Sequence, residues 1–387
     1  MQNILNNINI ESISHTLWNV GIFILVLLIL VMIHELGHFV AAKLSKMRVE
    51  EFAFGFPPKL FSKKIGETNY AFNFLPLGGY VKITGESFDP EEREILKKDI
   101  KAFQNRPRIL QLLVLFAGVF MNIILAIFIF FVINKSSHLI DASNAGYKKY
   151  VTSPKIYVAS VLKNSPAETA GLKEGDQIIS MSAGKSMVEL KSAQSVVEFV
   201  KLHNEAAINI VYSRELKNIN INRISTSTVS AVYGLVPDKK SVGMAVIYGQ
   251  HIKLGYYDAA RLAILDTYKY TKMTIVGLGS IFTKLIQGEN VMDSLSGPVG
   301  IAKMVGNASS SGSIEGLLFI IALLSINLAV FNILPLPALD GGRILFVLYE
   351  AITRRAINYK FQYYANAIGF LLLISLMIIT TYFDIIK

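Results

Sequence analysis

Four stretches of the chain are almost wholly apolar. Each is long enough to cross a bilayer, which takes about 20 helical residues at about 1.5 Å each. Leu17 to Ile33 is interrupted only by Asn19, and its pattern continues through His34, Glu35, His38 and Ala42. Ile109 to Ile133 follows Pro107, a residue suited to a helix's first turn. Ile314 to Leu334 ends at a Pro-rich break, and Phe361 to Tyr382 carries Tyr363, Tyr364 and Tyr382 as interface anchors. The first stretch reads as a retained span rather than a signal peptide, because no Lys or Arg precedes it and no cleavage site follows its apolar core. Other segments have other periods. Val49 to Ile83 is rich in Phe, Tyr, Gly and Pro, with strand-like runs such as Tyr70 to Leu75, and Ile156 to about Tyr248 reads as soluble and β-rich. Tyr257 to Gln287 is helical by its three- and four-residue steps. Asp266, Lys269 and Lys272 make it a poor span, so it is expected to lie against the membrane or the bundle. Asp89-Pro90-Glu91-Glu92 predicts an N-cap and a cytoplasmic helix running to about Gln104.

Composition supports this picture. Of 387 residues, 52% are hydrophobic and 17% charged, below the roughly 25% charged of soluble proteins. That balance excludes disorder and argues against an ordinary cytosolic enzyme. The excess of 38 Lys and Arg over 28 Asp and Glu is +10. No basic helix or aromatic-basic repeat accompanies it, so it is read as loop charge on a membrane protein, and no nucleic-acid partner is expected. Lys and Arg concentrate between Lys43 and Arg108 and again between Arg343 and Lys360. With four spans these loops share one side, and the positive-inside rule makes it cytoplasmic. Both termini and the stretch between the second and third spans are then outside. A fifth crossing at Tyr257 to Gln287 would flip everything after it.

Cysteine is absent, so a metal must be held by His, Asp or Glu. His34-Glu35-Leu36-Gly37-His38 is an H-E-x-x-H string, and on a helix its two imidazoles share one face. Zinc fits such a pair best, with Glu35 as general base toward a metal-bound water. A chance string is the alternative, but three ionisable residues in a membrane helix mark a functional site by default. Two histidines leave a catalytic zinc one ligand short. His15, His138, His203 and His251 all fall in segments expected outside. Asp340 is the better candidate: it follows the third span, and Pro335 and Pro337 can fold it back toward the histidines. A turn Asp before Gly341-Gly342 is the competing reading.

These residues resemble the site-2 protease family of intramembrane zinc metalloproteases, closest to the bacterial regulator of sigma-E protease group. The resemblance runs from about Val20 to Gly342. It rests on the H-E-x-x-H string, on Asn332-Ile333-Leu334-Pro335-Leu336-Pro337-Ala338-Leu339-Asp340-Gly341, and on a PDZ-like segment between them. It implies one Zn2+ per chain on His34, His38 and Asp340, with Glu35 as catalytic glutamate. Leu77-Gly78-Gly79-Tyr80-Val81-Lys82 is similar to a membrane-associated β-hairpin that presents an edge strand to substrate. By residues alone a plain cytoplasmic loop is an equal reading. Asn327, Asn332, Pro335 and Pro337 match polar and helix-breaking positions near the family's site, although the prolines also fit a structural kink. Ser296-Gly297-Pro298-Val299-Gly300 matches a family string with no evident physical role.

Ser165-Pro166-Ala167-Glu168-Thr169-Ala170-Gly171-Leu172, followed by Gly175-Asp176-Gln177-Ile178, resembles a PDZ domain, a fold that binds peptides along a sheet edge. One copy is evident, and a size-excluding cap is the alternative. Four regions are expected. Residues 1–135 carry the motif span, the β-rich loop and the second span, and 150–250 form the PDZ-like domain. Residues 251–313 hold the amphipathic helix and a linker, and 314–387 the L-D-G motif and last span. The resemblance implies a multi-pass protease of the bacterial inner membrane that cuts transmembrane proteins or peptides, either an anti-sigma factor or remnant signal peptides. A peptide ligand for the PDZ-like domain is a further expected partner. The rival reading is a non-catalytic PDZ-containing membrane scaffold, which would need none of His34, Glu35, His38 or Asp340.

Overall fold

A computed structural model describes residues 10–87, 90–136, 138–143, 146–162, 164–216, 221–236, 239–291, 295–310 and 313–386. The chain divides into two compact units. One comprises residues 1–134 and 256–387, the other residues 135–255.

The first unit opens with α1 (Ile10–Leu44), β1 (Val49–Ile65), β2 (Thr68–Ile83), the short α2 (Pro90–Ile95) and α3 (Arg108–Lys135). The second unit inserts β3 (His138–Asp141), β4 (Lys155–Val161), α4 (Pro166–Thr169), β5 (Gln177–Ala183), β6 (Ser186–Met187), α5 (Ala193–Leu202), β7 (Ala207–Leu216), β8 (Ile221–Ser230), β9 (Val232–Val236), β10 (Lys239–Ser241) and β11 (Met244–Ile252). The first unit resumes with α6 (Tyr256–Ile286), α7 (Pro298–Ser310), α8 (Ile314–Ile333), α9 (Asp340–Thr353) and α10 (Tyr359–Ile386).

Among the described residues four helices are long and apolar enough to cross a membrane: Trp18–Leu44 of α1, α3, α8 and α10. The protein is a polytopic membrane protein. Many large apolar side chains on these helices face outward, among them Phe120, Phe128, Phe370 and Leu372, as expected where lipid replaces water. Helix α6 lies outside this set; it packs on α3 and α8 through Ala263, Tyr270 and Leu278.

Residues 51–54 of β1 lie between residues 79–82 and 69–72 of β2, in an antiparallel pair broken by bulges. Residues 79–82 thus pair with β1 on one side, and among the described residues no strand pairs with them on the other. Gly79 is required there. A side chain would strike Met32 Sδ on α1 and the Ala53 carbonyl. The ends of this sheet are fixed by a small core in which Met47, Val49 and Ile83 meet Ala41 and Ala42 of α1, Leu115 of α3 and Ile344 of α9.

Two local expectations change. The helix expected to reach Gln104 stops at Ile95, while the N-cap at Asp89 lies outside the described residues. Asp99 instead turns its carboxylate to the Lys101 N–H at 2.9 Å, an Asx bond that competes with helix. The Lys101 carbonyl accepts from Arg48 N, and Phe103 N donates to Thr84 O, which pulls Phe103 into the core. In the stretch expected as linker, Pro298 starts α7, whose Gly300 N–H donates to Asp384 Oδ2 of α10 at 2.7 Å. The Ser296-to-Gly300 string is therefore a helix start seated on α10, with Val305 buried against Val26 and Leu30 of α1 further along.

In the second unit one sheet runs β3-β11-β4-β5-β7-β8, with β6 beside β5 and β9–β10 as a separate pair. Alternate residues Ile208, Ile210 and Tyr212 of β7 face its core, as strand geometry requires, together with Ile156, Met181, Val196 and Phe199. Ser165 caps α4 by accepting from Glu168 N, and Ser192 and Ser195 form a reciprocal capping box on α5. Asp176, 1% exposed, receives both Nε and Nη2 of Arg214 at 2.6 Å. Arg214→Ala leaves that carboxylate buried without its partner. The opening free energy of β5 and β7 is expected to fall by about 3 kcal/mol, the low end for breaking a buried pair because Arg214 is partly exposed. Hydrogen exchange on the full chain measures this, and unchanged protection would refute it.

Candidate metal centre

His34 and His38 lie one turn apart on α1, both buried, within the last third of the helix. Asp340 is the first residue of α9. Between α8 and α9 the chain cannot continue as helix, because Pro335 and Pro337 lack N–H donors and their rings obstruct the preceding turn. Ala338, with φ +76°, sits in that break, and its N–H is held by Asn366 Oδ1 of α10 at 3.0 Å. The break returns Asp340 to α1 across 306 positions of sequence, with Oδ2 3.0 Å from His34 Nε2 and 3.3 Å from His38 Nε2. The two Nε2 atoms are 3.1 Å apart. Ligands held about 2.1 Å from a tetrahedral ion stand about 3.4 Å from one another. The observed triangle is close to that spacing, and two imidazoles plus one carboxylate leave a fourth position for water or substrate. His38 Nδ1 lies 2.8 Å from the Val114 carbonyl, to which it donates, so its Nε2 lone pair points into the triangle. The residues present fit zinc.

Gly118 of α3 makes room for this cluster. A Cβ there would collide with both imidazoles. Asn122, one turn further along α3 and fully buried, reaches His34 Nδ1 at 3.2 Å. Ser325 of α8 donates to the Asn122 main-chain carbonyl at 2.8 Å, so three spans meet behind the site.

Glu35 is half-buried and accepts the Val81 N–H at 3.0 Å through Oε2. That N–H belongs to the open side of β2, so the edge strand lies directly against the glutamate. Gly78 and Gly79 are buried beside α1, and Gly78 abuts Val31. Tyr80 turns away from the ligand triangle: its hydroxyl donates to Glu51 Oε1 at 2.6 Å, and Lys59 and Asn69 both reach Oε2 at 2.9 Å. Burial and then the bond to Glu51 raise the Tyr80 phenol above its usual pKa, keeping it a donor. Burial pushes the Glu51 carboxyl up, but these three donors outweigh it and hold the group below the usual carboxylate range. Asn327 accepts from Thr274 Oγ1 of α6 at 2.9 Å, a contact away from the ligand triangle. Asn332 is half-buried in the last turn of α8. The Pro337 carbonyl packs against Gly369 of α10.

Sequence reasoning passed over Asn122, Gly118, the Val81 N–H and the Val114 carbonyl. Asn122 did carry a signal, as a lone amide amid the apolar run Ile109 to Ile133. The main-chain groups carry none, because every residue has them. Arg343 of α9, three residues after Asp340, forms a part-buried ion pair with Glu86, just beyond β2.

Residues 22–376 match peptidase family M50. A Clostridium perfringens protein named as a candidate zinc metalloprotease is 35% identical over 366 residues, which span 92% of this chain and 95% of that protein. The regulator of sigma-W protease RasP of Bacillus subtilis is 30% identical over 439 aligned residues, 94% of this chain and 97% of that one. The zinc metalloprotease RasP of Geobacillus kaustophilus is 27% identical, with 96% and 99% covered.

Proposed function

The chain belongs to peptidase family M50, the site-2 proteases, and is a zinc metalloendopeptidase of a bacterial membrane; from that premise we propose that it hydrolyses peptide bonds within transmembrane segments of other membrane proteins. The observation that carries this reading is the convergence of His34, His38 and Asp340 beside Glu35 within a helix long and apolar enough to span. His34 Nε2, His38 Nε2 and Asp340 Oδ2 would hold the ion. Zinc so bound supplies Lewis acidity, lowering the pKa of a water and polarising a carbonyl oxygen. Glu35 takes the proton from the attacking water on a carboxylate oxygen and passes it to the leaving nitrogen. The open side of β2 at Gly78, Gly79 and Tyr80 receives the substrate as an added strand, which unwinds it for attack. Asn327, Asn332, Pro335 and Pro337 border the substrate path. A non-catalytic scaffold is disfavoured, since it would need neither the ligand set nor the glutamate.

The substrate class is an anti-sigma factor, a remnant signal peptide, or both. The two basic loops face the cytoplasm, with both termini and residues 150–250 outside, and the site lies toward the cytoplasmic side. Residues 150–250 act as a PDZ-like domain that takes an extended peptide. The cysteine-free chain allows a clean test of orientation. A cysteine at Lys63 or Arg355 should react with a membrane-impermeant maleimide only in inside-out vesicles, and labelling of right-side-out vesicles would overturn the assignment. The activity itself is tested with the full chain and a single-span substrate in detergent. Fragment masses are expected to place the cut inside the span, chelation to stop it and zinc to restore it. Cutting confined to the flanks, or surviving chelation, would count against the reading.

A further inference from the structure

The Asn122 side chain stands against the metal centre from α3. It is fully buried in α3, its Nδ2 lies 3.2 Å from His34 Nδ1, and its Oδ1 is buried with no partner. This arrangement suits a His34 that carries its proton on Nε2, beside Asp340 Oδ2 at 3.0 Å, and offers a lone pair at Nδ1. It cannot persist once an ion occupies Nε2. The neutral ring then carries its proton on Nδ1, and two donors would face each other across a buried contact. Turning the amide by half a turn removes the conflict by exchanging Oδ1 for Nδ2. Either orientation leaves one amide atom unpartnered, so the choice falls to whichever nitrogen of His34 holds the proton.

We infer that Asn122 is the outer-sphere partner of His34, its Oδ1 accepting the Nδ1–H of the zinc-bound ring. The site is built to hold that oxygen still. Ser325 Oγ fixes the Asn122 main-chain carbonyl, and Gly118, one turn earlier, lets α3 approach the imidazoles. His38 already shows the same design, its Nδ1 set against the Val114 carbonyl at 2.8 Å. Both ligand rings are thus fastened from α3, one by a main-chain oxygen and one by a side-chain oxygen. Asn122 is a positioning residue: it touches neither substrate nor ion and acts through the orientation and basicity of His34.

This inference rests on the assignment of His34 as a zinc ligand, and the test separates the two. Zinc affinity of the full chain in detergent is measured by competition with a chromophoric chelator. Wild type should bind one zinc, and His34→Ala should not hold it; if both bind alike, the ligand assignment itself fails. Asn122→Leu keeps the volume and removes the acceptor, so affinity should fall by about 10- to 100-fold, the usual effect of losing an outer-shell partner. Asn122→Asp keeps an acceptor, and its affinity should stay within about threefold of wild type or rise. Unchanged affinity in Asn122→Leu would overturn the inference. So would an equal loss in both variants, which would mean that the amide N–H or the packing matters rather than the oxygen. If Asn122→Leu does not fold, Asn122→Asp decides alone: a loss beyond tenfold refutes the acceptor role.

Discussion

Glu35→Gln should abolish hydrolysis while leaving zinc in place. The substitution preserves shape and one acceptor oxygen, so Gln can still receive the Val81 N–H that Glu35 Oε2 holds at 3.0 Å. The edge strand therefore stays against α1, and the ligands His34, His38 and Asp340 are untouched. What disappears is the ability to take a proton. General acid–base catalysis contributes about 10²- to 10⁴-fold, and kcat is expected to fall by about that factor. On the proposed docking of substrate along β2, which the substitution leaves in place, KM should change little. The measurement pairs cleavage of a single-span substrate with elemental zinc analysis of the same sample. Wild-type turnover in the variant would sink the role of Glu35, and loss of zinc would show that the glutamate supports the metal instead.

Asp340→Ala should release the metal. Asp340 is the anionic member of the ligand triangle and its only contribution from the far end of the chain. Without it two imidazoles remain, one ligand fewer than a catalytic zinc site has. The loss should exceed the 10- to 100-fold attached to outer-shell changes. Helix α9 also loses the acidic residue of its first turn, worth about 0.3–1 kcal/mol near the helix's positive end, so folding should be nearly unaffected. Zinc per chain after gel filtration, with thermal unfolding in parallel, reads both effects. One zinc retained at wild-type affinity would remove Asp340 from the ligand set. A variant that loses zinc and activity but unfolds near the temperature of zinc-stripped wild type is the expected result.

Glu35 is adjacent in sequence to its partners, and helical geometry alone puts His34 and His38 on one face. Asp340 could be proposed from sequence only through an argument about spans: the third must end on the side where the first holds its histidines. A crossing by α6 would put Asp340 on the opposite side, and Asp266, Lys269 and Lys272 speak against such a crossing. The family resemblance then reinforced a choice that charge and depth had already favoured. Local propensity predicts a helix from Pro90 to Gln104, whereas the helix stops at Ile95 and the bonds of Asp99, Lys101 and Phe103 replace its continuation.

The sequence by itself determined the four apolar helices, the shared face of His34 and His38, and the break at Pro335 and Pro337. Each follows from residues within one element, where hydrophobic period, side-chain spacing and a missing N–H act over a few positions. Only the tertiary structure decided that Val81 offers its N–H to Glu35, that Tyr80 spends its hydroxyl on Glu51, and that Asn122 and Val114 stand behind the two imidazoles. Those partners lie on different elements, up to 88 positions apart in the case of His34 and Asn122. Half of them are main-chain groups that every residue carries. Packing alone selects which of those identical groups meets the chemistry, and no local pattern records that choice.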